Sequence, residues 1–196
     1  MSKLNNHSAL EIINAARDEF AREGFHGARV ERIALRAGVN KQLLFYYYHS
    51  KRGLHQAVVR QAAAELEAAL SHGPAREGRP LDRLRTGLQH EFDFLASHPD
   101  LVALLSQANR SDVAPFAPAI RPLVVLLAEG QGTGQVRDDV DPHLVAAQAL
   151  ALMLSYLNLE SLIAASAPPL GADESALRER WKRSAVELVV HGVSAE

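Results

Sequence analysis

Apolar positions along this chain recur at helical spacing and almost never in strict alternation, so the pattern predicts helices throughout and no convincing strand. Leu10, Ile13, Ala16 and Phe20 define one face of a first helix that stops near Gly24. Short helices follow around 30–36 and 40–46, and a longer one covers about 50–71 with Ser50 as its N-cap. The Gly- and Pro-containing stretch 72–80 is the clearest break. Beyond it, Leu81, Leu84, Leu88, Phe92 and Leu95 mark a strongly amphipathic helix ended by His98-Pro99. Leu101, Leu104, Leu105 and Ala108 continue on another, and Pro115 or Pro118 opens a helix with Ile120, Leu123, Val124 and Leu127 inside. Residues 130–141 read as a flexible loop. An apolar helix then covers 142–167 up to Pro168-Pro169, and a last one, about 173–191, packs Leu177, Trp181, Leu188 and Val189. The reading is all-α, with about nine helices and no internal repeat.

Composition narrows the class. The chain has 196 residues, 47% of them hydrophobic, enough to bury a sizeable core in one or two small domains. It has no cysteine, which excludes disulfides, thiolate zinc sites and a cysteine nucleophile and fits a reducing, cytoplasmic setting. The polar stretch 1–8 predicts no signal peptide. Residues 144–167 are rich enough in apolar side chains to be mistaken for a membrane span. Gln148, Ser155, Asn158, Glu160 and Ser161 interrupt them, however, so a helix buried in protein, and in a chain this small a subunit interface, is predicted instead.

Net charge is −2, but it is unevenly spread. Residues 1–60 hold ten Lys/Arg against five Asp/Glu, whereas the remaining 136 hold eleven against eighteen. A basic N-terminal part sits on an acidic body, which suits a polyanion partner for the former.

Residues 30–49 carry the spacing of a helix-turn-helix. Small Ala34 allows two steeply crossing helices to approach, Gly38 supplies the left-handed backbone of the turn, and Ile33, Val39, Leu44 and Tyr47 form the inner face. The second helix of such a unit enters the major groove, presenting here Asn40, Lys41, Gln42, Leu43 and Tyr46. Asn and Gln pair bidentately with adenine, and Lys contacts guanine or phosphate. Tyr47 and Tyr48 belong rather to the inner face, and His49 lies beside Lys51 as a phosphate contact or a solvated side chain.

Phe20, Gly24-Phe25, Val30, Ile33-Ala34, Ala37-Gly38-Val39, Leu44-Phe45-Tyr46-Tyr47-Tyr48, Ser50-Lys51 and Leu54 together resemble the DNA-binding domain of TetR-family transcriptional regulators over about residues 8–58. The remainder is similar only in helix count, in the segment 134–142 and in the His98-Pro99 junction. The resemblance implies an all-α homodimer, with a helix-turn-helix DNA-binding domain over 1–55 and a larger effector-binding and dimerisation domain over 56–196. It places Asn40, Lys41, Gln42, Phe45 and Tyr46 on the recognition helix and Lys51 at a phosphate. Four positions depart from the family pattern. Ala28 stands for the usual helix-capping Thr, with Arg29 as a replacement phosphate contact; Gln42 and Leu43 replace Gly and Thr; Phe45 replaces a Tyr and lacks its hydroxyl.

In the larger domain a mostly apolar effector cavity is predicted between the fifth and eighth helices, lined by Phe92, Leu95, Leu105, Leu127, Met153 and Tyr156, with His90, Asn109 or Trp181 as polar handles. Helices 142–167 and 173–191 are predicted to pair across a two-fold axis, presenting two recognition helices to half-sites of a palindromic duplex. No cofactor and no catalytic role is predicted. The Gly130-Gln131-Gly132-Thr133-Gly134 run lacks the preceding strand and the closing Lys-Ser/Thr of a phosphate loop, and the nine histidines show no metal-ligand spacing. The leading reading is a cytoplasmic, ligand-released repressor. An architectural or partner-docking DNA-binding protein without an effector is the alternative.

Overall fold

The computed structural model describes residues 3–71, 77–107, 120–166 and 173–195. Among them run nine α-helices: α1 (Lys3–Gly27), α2 (Val30–Arg36), α3 (Lys41–Tyr48), α4 (Lys51–Ser71), α5 (Pro80–Ser97), α6 (Pro99–Gln107), α7 (Arg121–Gly132), α8 (Pro142–Ser166) and α9 (Glu174–Val193). The described residues form no strand, only an isolated antiparallel bridge between Val136 and Ser194. They divide into two compact units, 1–64 with 99–116 and 65–98 with 117–196. The first unit thus runs past residue 55 and takes in α6, because α1 packs extensively against α6.

In the first unit Ile12, Ile13, Ala16 and Phe20 of α1 are buried with Val30, Ile33 and Ala34 of α2, Leu44 of α3, Leu54 and Val58 of α4, and Leu101 and Leu104 of α6. Leu10, predicted on the inner face, is instead 55% exposed. The buried stripe passes through residues 12, 13, 16 and 20, and Leu10 falls to its side. Gly24 interrupts α1 with φ 67°, after which a last turn reaches Gly27. The edge of the His55 ring meets both Phe20 and Phe25, at 4.9 and 5.1 Å between centroids. Arg17 pairs with Asp100, and the Gln107 side-chain amide donates to the Ala21 carbonyl at 3.1 Å, fixing α6 on α1.

In the second unit Leu84, Leu88, Phe92 and Leu95 of α5 meet Leu123 and Leu127 of α7, Ala149, Met153 and Tyr156 of α8, and Leu177, Val186 and Val190 of α9. Arg178 grips Glu160 with two hydrogen bonds of 2.8 and 2.7 Å, and Arg85 grips Glu187 at 2.8 and 3.1 Å. Such two-pronged pairs fix register better than single contacts. Leu188, predicted to pack, is 67% exposed, since the inward face of α9 runs through residues 177, 186, 190 and 193. Ala108, Pro115, Pro118, Ala167, Pro168 and Pro169 lie outside the described residues; Pro122 occupies the first turn of α7.

The segment predicted as a flexible loop from residue 130 begins later and is tied down. α7 continues to Gly132, and Gly130 is buried against Val136. Arg137 N–H donates to the Val193 carbonyl and Ala195 N–H to the Gln135 carbonyl, both at 2.9 Å. A Cβ on residue 130 would stand 2.4 Å from Val136 Cγ2, so close packing demands glycine there. Gly130→Ala is therefore expected to lower stability by about 1–3 kcal/mol in urea unfolding. Gly132→Ala, facing open space, is expected to be neutral or mildly stabilising.

Candidate nucleic-acid interface and effector site

The angle between α2 and α3 is set by a short turn. Gly38 holds φ 65°, its N–H donates to the Leu35 carbonyl at 3.2 Å, and Val39 N–H donates to the Ala34 carbonyl at 3.0 Å. Behind the turn, buried Glu19 of α1 accepts from the Arg29 backbone N–H at 2.9 Å and from Arg32 Nε at 2.7 Å. Burial alone would raise the Glu19 pKa. The two hydrogen bonds and the charges of Arg32 and Arg22 outweigh it and hold the carboxyl below its ordinary range. Glu19 therefore orients α2 as a charged anchor, a role the sequence reading missed although the acid stands beside Phe20 on the buried face of α1.

α3 is capped by Asn40, whose side-chain oxygen accepts from Leu43 N–H at 2.8 Å. That bond commits the oxygen locally, leaving the Asn40 amide NH2 as its outward group. Lys41 Nζ lies 2.6 Å from Glu31 Oε1 of α2, and this hydrogen bond holds the Glu31 carboxyl below its usual range. Gln42, Phe45 and Tyr46 share the outer face, Tyr46 at 68% exposure, while Leu43 is half-buried. Tyr47 and Tyr48 are half-buried, and Tyr48 Oη donates to the Ala9 carbonyl at 3.0 Å; burial first, then neighbouring Tyr47, pushes the Tyr48 phenol up.

The α3–α4 corner turns on His49, a non-glycine residue at φ 63°, with Ser50 N–H donating to the Tyr48 carbonyl at 2.7 Å. Side chains rarely occupy that region, so His49 is held there by its surroundings and its ring is thrust outward. Gly53 makes the corner possible, since a Cβ there would stand 2.2 Å from the Tyr48 carbonyl oxygen. Ser50 caps α4 as the sequence predicts, its Oγ accepting from Gly53 N–H at 3.0 Å. Lys51 is held in place twice: its Nζ donates to the His26 carbonyl at 3.2 Å and lies 5.0 Å from the Phe25 ring centroid. Arg29, exposed at the head of α2, and Ala28, buried beside it, complete the region.

The structure thus gathers Arg29, Asn40, Lys41, Gln42, Phe45, Tyr46, His49 and Lys51 into one helix-turn-helix unit, all but half-buried Lys51 exposed. Residues 12–58 match the family described as bacterial regulatory proteins, tetR family, and residues 80–189 match the tetracyclin repressor-like C-terminal domain. The chain belongs to the TetR family.

Among TetR-family relatives, it is similar to the HTH-type transcriptional repressor SCO4008 of Streptomyces coelicolor, 38% identical over 48% of this chain and 45% of that one. It is also similar to the HTH-type transcriptional repressor NicS of Pseudomonas putida, 28% identical over 66% of each. The matched region therefore spans about half to two thirds of those relatives' lengths. In fold it resembles the transcriptional regulator FadR of Bacillus subtilis, crystallised with stearoyl-CoA, at a TM-score of 0.74 and 20% identity, over 94% of this chain and 99% of that one.

Seven of the nine candidate effector residues of this TetR-family chain lie in the second unit, where most of them are packed core. Asn109 lies outside the described residues, and Leu105 belongs to the first unit. Leu95, Leu127 and Met153 are buried in the core of the second unit, where Phe92, Tyr156 and Trp181 are in mutual contact; Tyr156 and Trp181 stack with centroids 4.3 Å apart. His90 bridges to the α4 backbone, its Nε2 lying 3.1 Å from the Ala69 carbonyl.

One polar group there escaped the sequence reading. Glu91 is fully buried, and neither carboxyl oxygen has a hydrogen-bond partner. Burial pushes its pKa up to about 8. The signal was present, since an acid on the stripe Leu84, Leu88, Leu95, at steps of three and four, is bound to point inward.

Lys51→Ala is expected to weaken binding to all duplexes alike and to reduce the salt-dependence slope by about one unit. A titration over a series of salt concentrations checks this.

Proposed function

We propose that this chain is a homodimeric, DNA-binding transcriptional regulator, a cytoplasmic repressor that a small molecule releases from a two-fold symmetric operator. The observation that carries the reading is the outer face of α3, where Gln42, Phe45 and Tyr46 project together from a helix braced on its other side by the Gly38 turn and the Glu19 anchor. Such a helix reads base edges in the major groove. The domain assignment follows: residues 1–55 bind DNA and 56–196 take the effector and the second subunit. FadR, crystallised with stearoyl-CoA, supports a small-molecule effector here.

α8 and α9 form the proposed dimer face. α8 is long and apolar enough by composition to cross a membrane, yet its Glu160 is paired with Arg178 of α9 and it packs on α7 and α9. Leu144, Leu159 and Leu162 of α8 and Leu188 of α9 are exposed in the single chain. An apolar surface of this kind belongs against a second copy.

Selection of binding sites from random duplex DNA near physiological salt tests the whole reading. A two-fold symmetric consensus, with a dimer by sedimentation at micromolar concentration, is the expected result. Salt-sensitive binding without any consensus would instead favour an architectural role.

A further inference from the structure

A carboxyl buried without a partner is among the costlier groups a core can hold, and its presence in a folded protein calls for a reason. Both Glu91 oxygens are buried and unpartnered. Glu91 follows Gly87 by four residues, so the two stand one above the other, roughly 6 Å apart on one side of α5, and Gly87 faces α7. At Gly87 that side is open. A groove of about 370 Å³ runs there, its apolar walls made by Leu70 of α4 and by Leu123 and Leu126 of α7, with Glu67, Arg83 and Arg121 as its charged lining. A Cβ on residue 87 would already touch Leu123 and Leu126, at 3.6 and 3.9 Å, so any larger side chain enters the space. The volume lies in the range that small organic ligands occupy. Arg83 is committed to Glu129 at 2.7 Å, which leaves the rim less positive than its two arginines suggest.

We propose that the groove at Gly87 is the outer part of the effector site and Glu91 its inner polar end, and that the ligand class is an apolar body carrying a cationic, hydrogen-bond-donating nitrogen. This rests on the effector reading above and gives it a chemical class. An ammonium head supplies the counter-charge that lets Glu91 ionise on binding and the donors that its oxygens lack, while its apolar tail lies along Leu123 and Leu126. A carboxylate head either meets an ionised Glu91 and is repelled or accepts its proton and is buried as an anion without a counter-charge, and a neutral alcohol supplies a single donor and no charge.

The test uses the full-length protein with octylamine, octanol and octanoate, three probes that share a chain and differ in the head group. Octylamine at millimolar concentration is expected to raise the melting temperature by about 3 °C or more, and the other two by less than half as much. Glu91→Gln keeps the shape of the side chain and is expected to remove the preference for the amine. Gly87→Leu, which fills the groove and leaves Glu91 in place, is expected to abolish all three shifts and carries the test should the Gln variant fold poorly. An equal amine shift in Glu91→Gln, an octanoate or octanol response as large as that of octylamine, or no response to any probe overturns the proposal. The effector reading is judged separately, by whether any small molecule frees the protein from its selected DNA, and that result stands or falls without Glu91.

Discussion

Replacing Gln42 and Tyr46 together by alanine is expected to leave the thermal stability of the protein unchanged and to lower its affinity for its selected site on the order of a hundredfold or more. Both side chains lie on the exposed face of α3, and neither belongs to the buried set that holds α3 in place, where Leu44 fills the inner side. A side chain that reads a base edge contributes about 1–3 kcal/mol of discrimination, so losing two removes a large share of the margin between specific and non-specific binding. The affinity for random duplex and its salt slope should stay as they were, because those depend on phosphate contacts. Competition between selected and random DNA measures both. A uniform loss on every duplex would assign these residues to backbone contact instead.

The second large effect concerns pH. With its pKa raised from 4.5 to about 8 by burial, Glu91 stays protonated in the folded chain over a range where the unfolded chain has already ionised. Folding then takes up a proton. The contribution of this group to stability is complete below about pH 4.5, falls by roughly 1.4 kcal/mol per pH unit as pH rises, and levels off above pH 8. Glu91→Gln should therefore gain stability relative to the native chain between pH 5 and 8, by a few kcal/mol at the upper end. Urea midpoints for both proteins at several pH values give the difference, which isolates Glu91 from every other titrating group. A gap that does not change with pH would show the carboxyl ionised throughout.

Much of the fold was legible because its determinants are local. The Gly38 turn, the Ser50 cap and the His98-Pro99 junction each depend on a few neighbouring residues, and the structure has them where the sequence placed them. What escaped depends on contacts distant in sequence. The Gly130 connection reads as a loop until Val136 and the backbone around Ser194 close over it. Leu10 and Leu188 read as core residues, since periodicity gives the width of an apolar stripe but not which edge of it is covered. The expected effector residues share apolar character at helical spacing. That pattern selects a packed core as readily as a cavity, and it passed over the acid at position 91 and the missing side chain at position 87. On the recognition face, identities were readable and commitments were not: nothing local announces that Asn40 caps its own helix or that Lys41 reaches Glu31.

The pairing of basic residues in the first unit bears on how such a protein would move among binding sites. Among the described residues of the first unit, Arg17, Arg22, Arg32, Arg36 and Lys41 each face a carboxylate of their own chain, Arg22 and Arg32 sharing Glu19. Cations held in this way are less free to grip the phosphate backbone. The protein's dwell time on unrelated sequence should be short, and its scanning of a chromosome should proceed by frequent release rather than by long slides. Residence at the correct site would then rest on the few groups that touch bases, so a modest loss of contact there would suffice to clear the promoter.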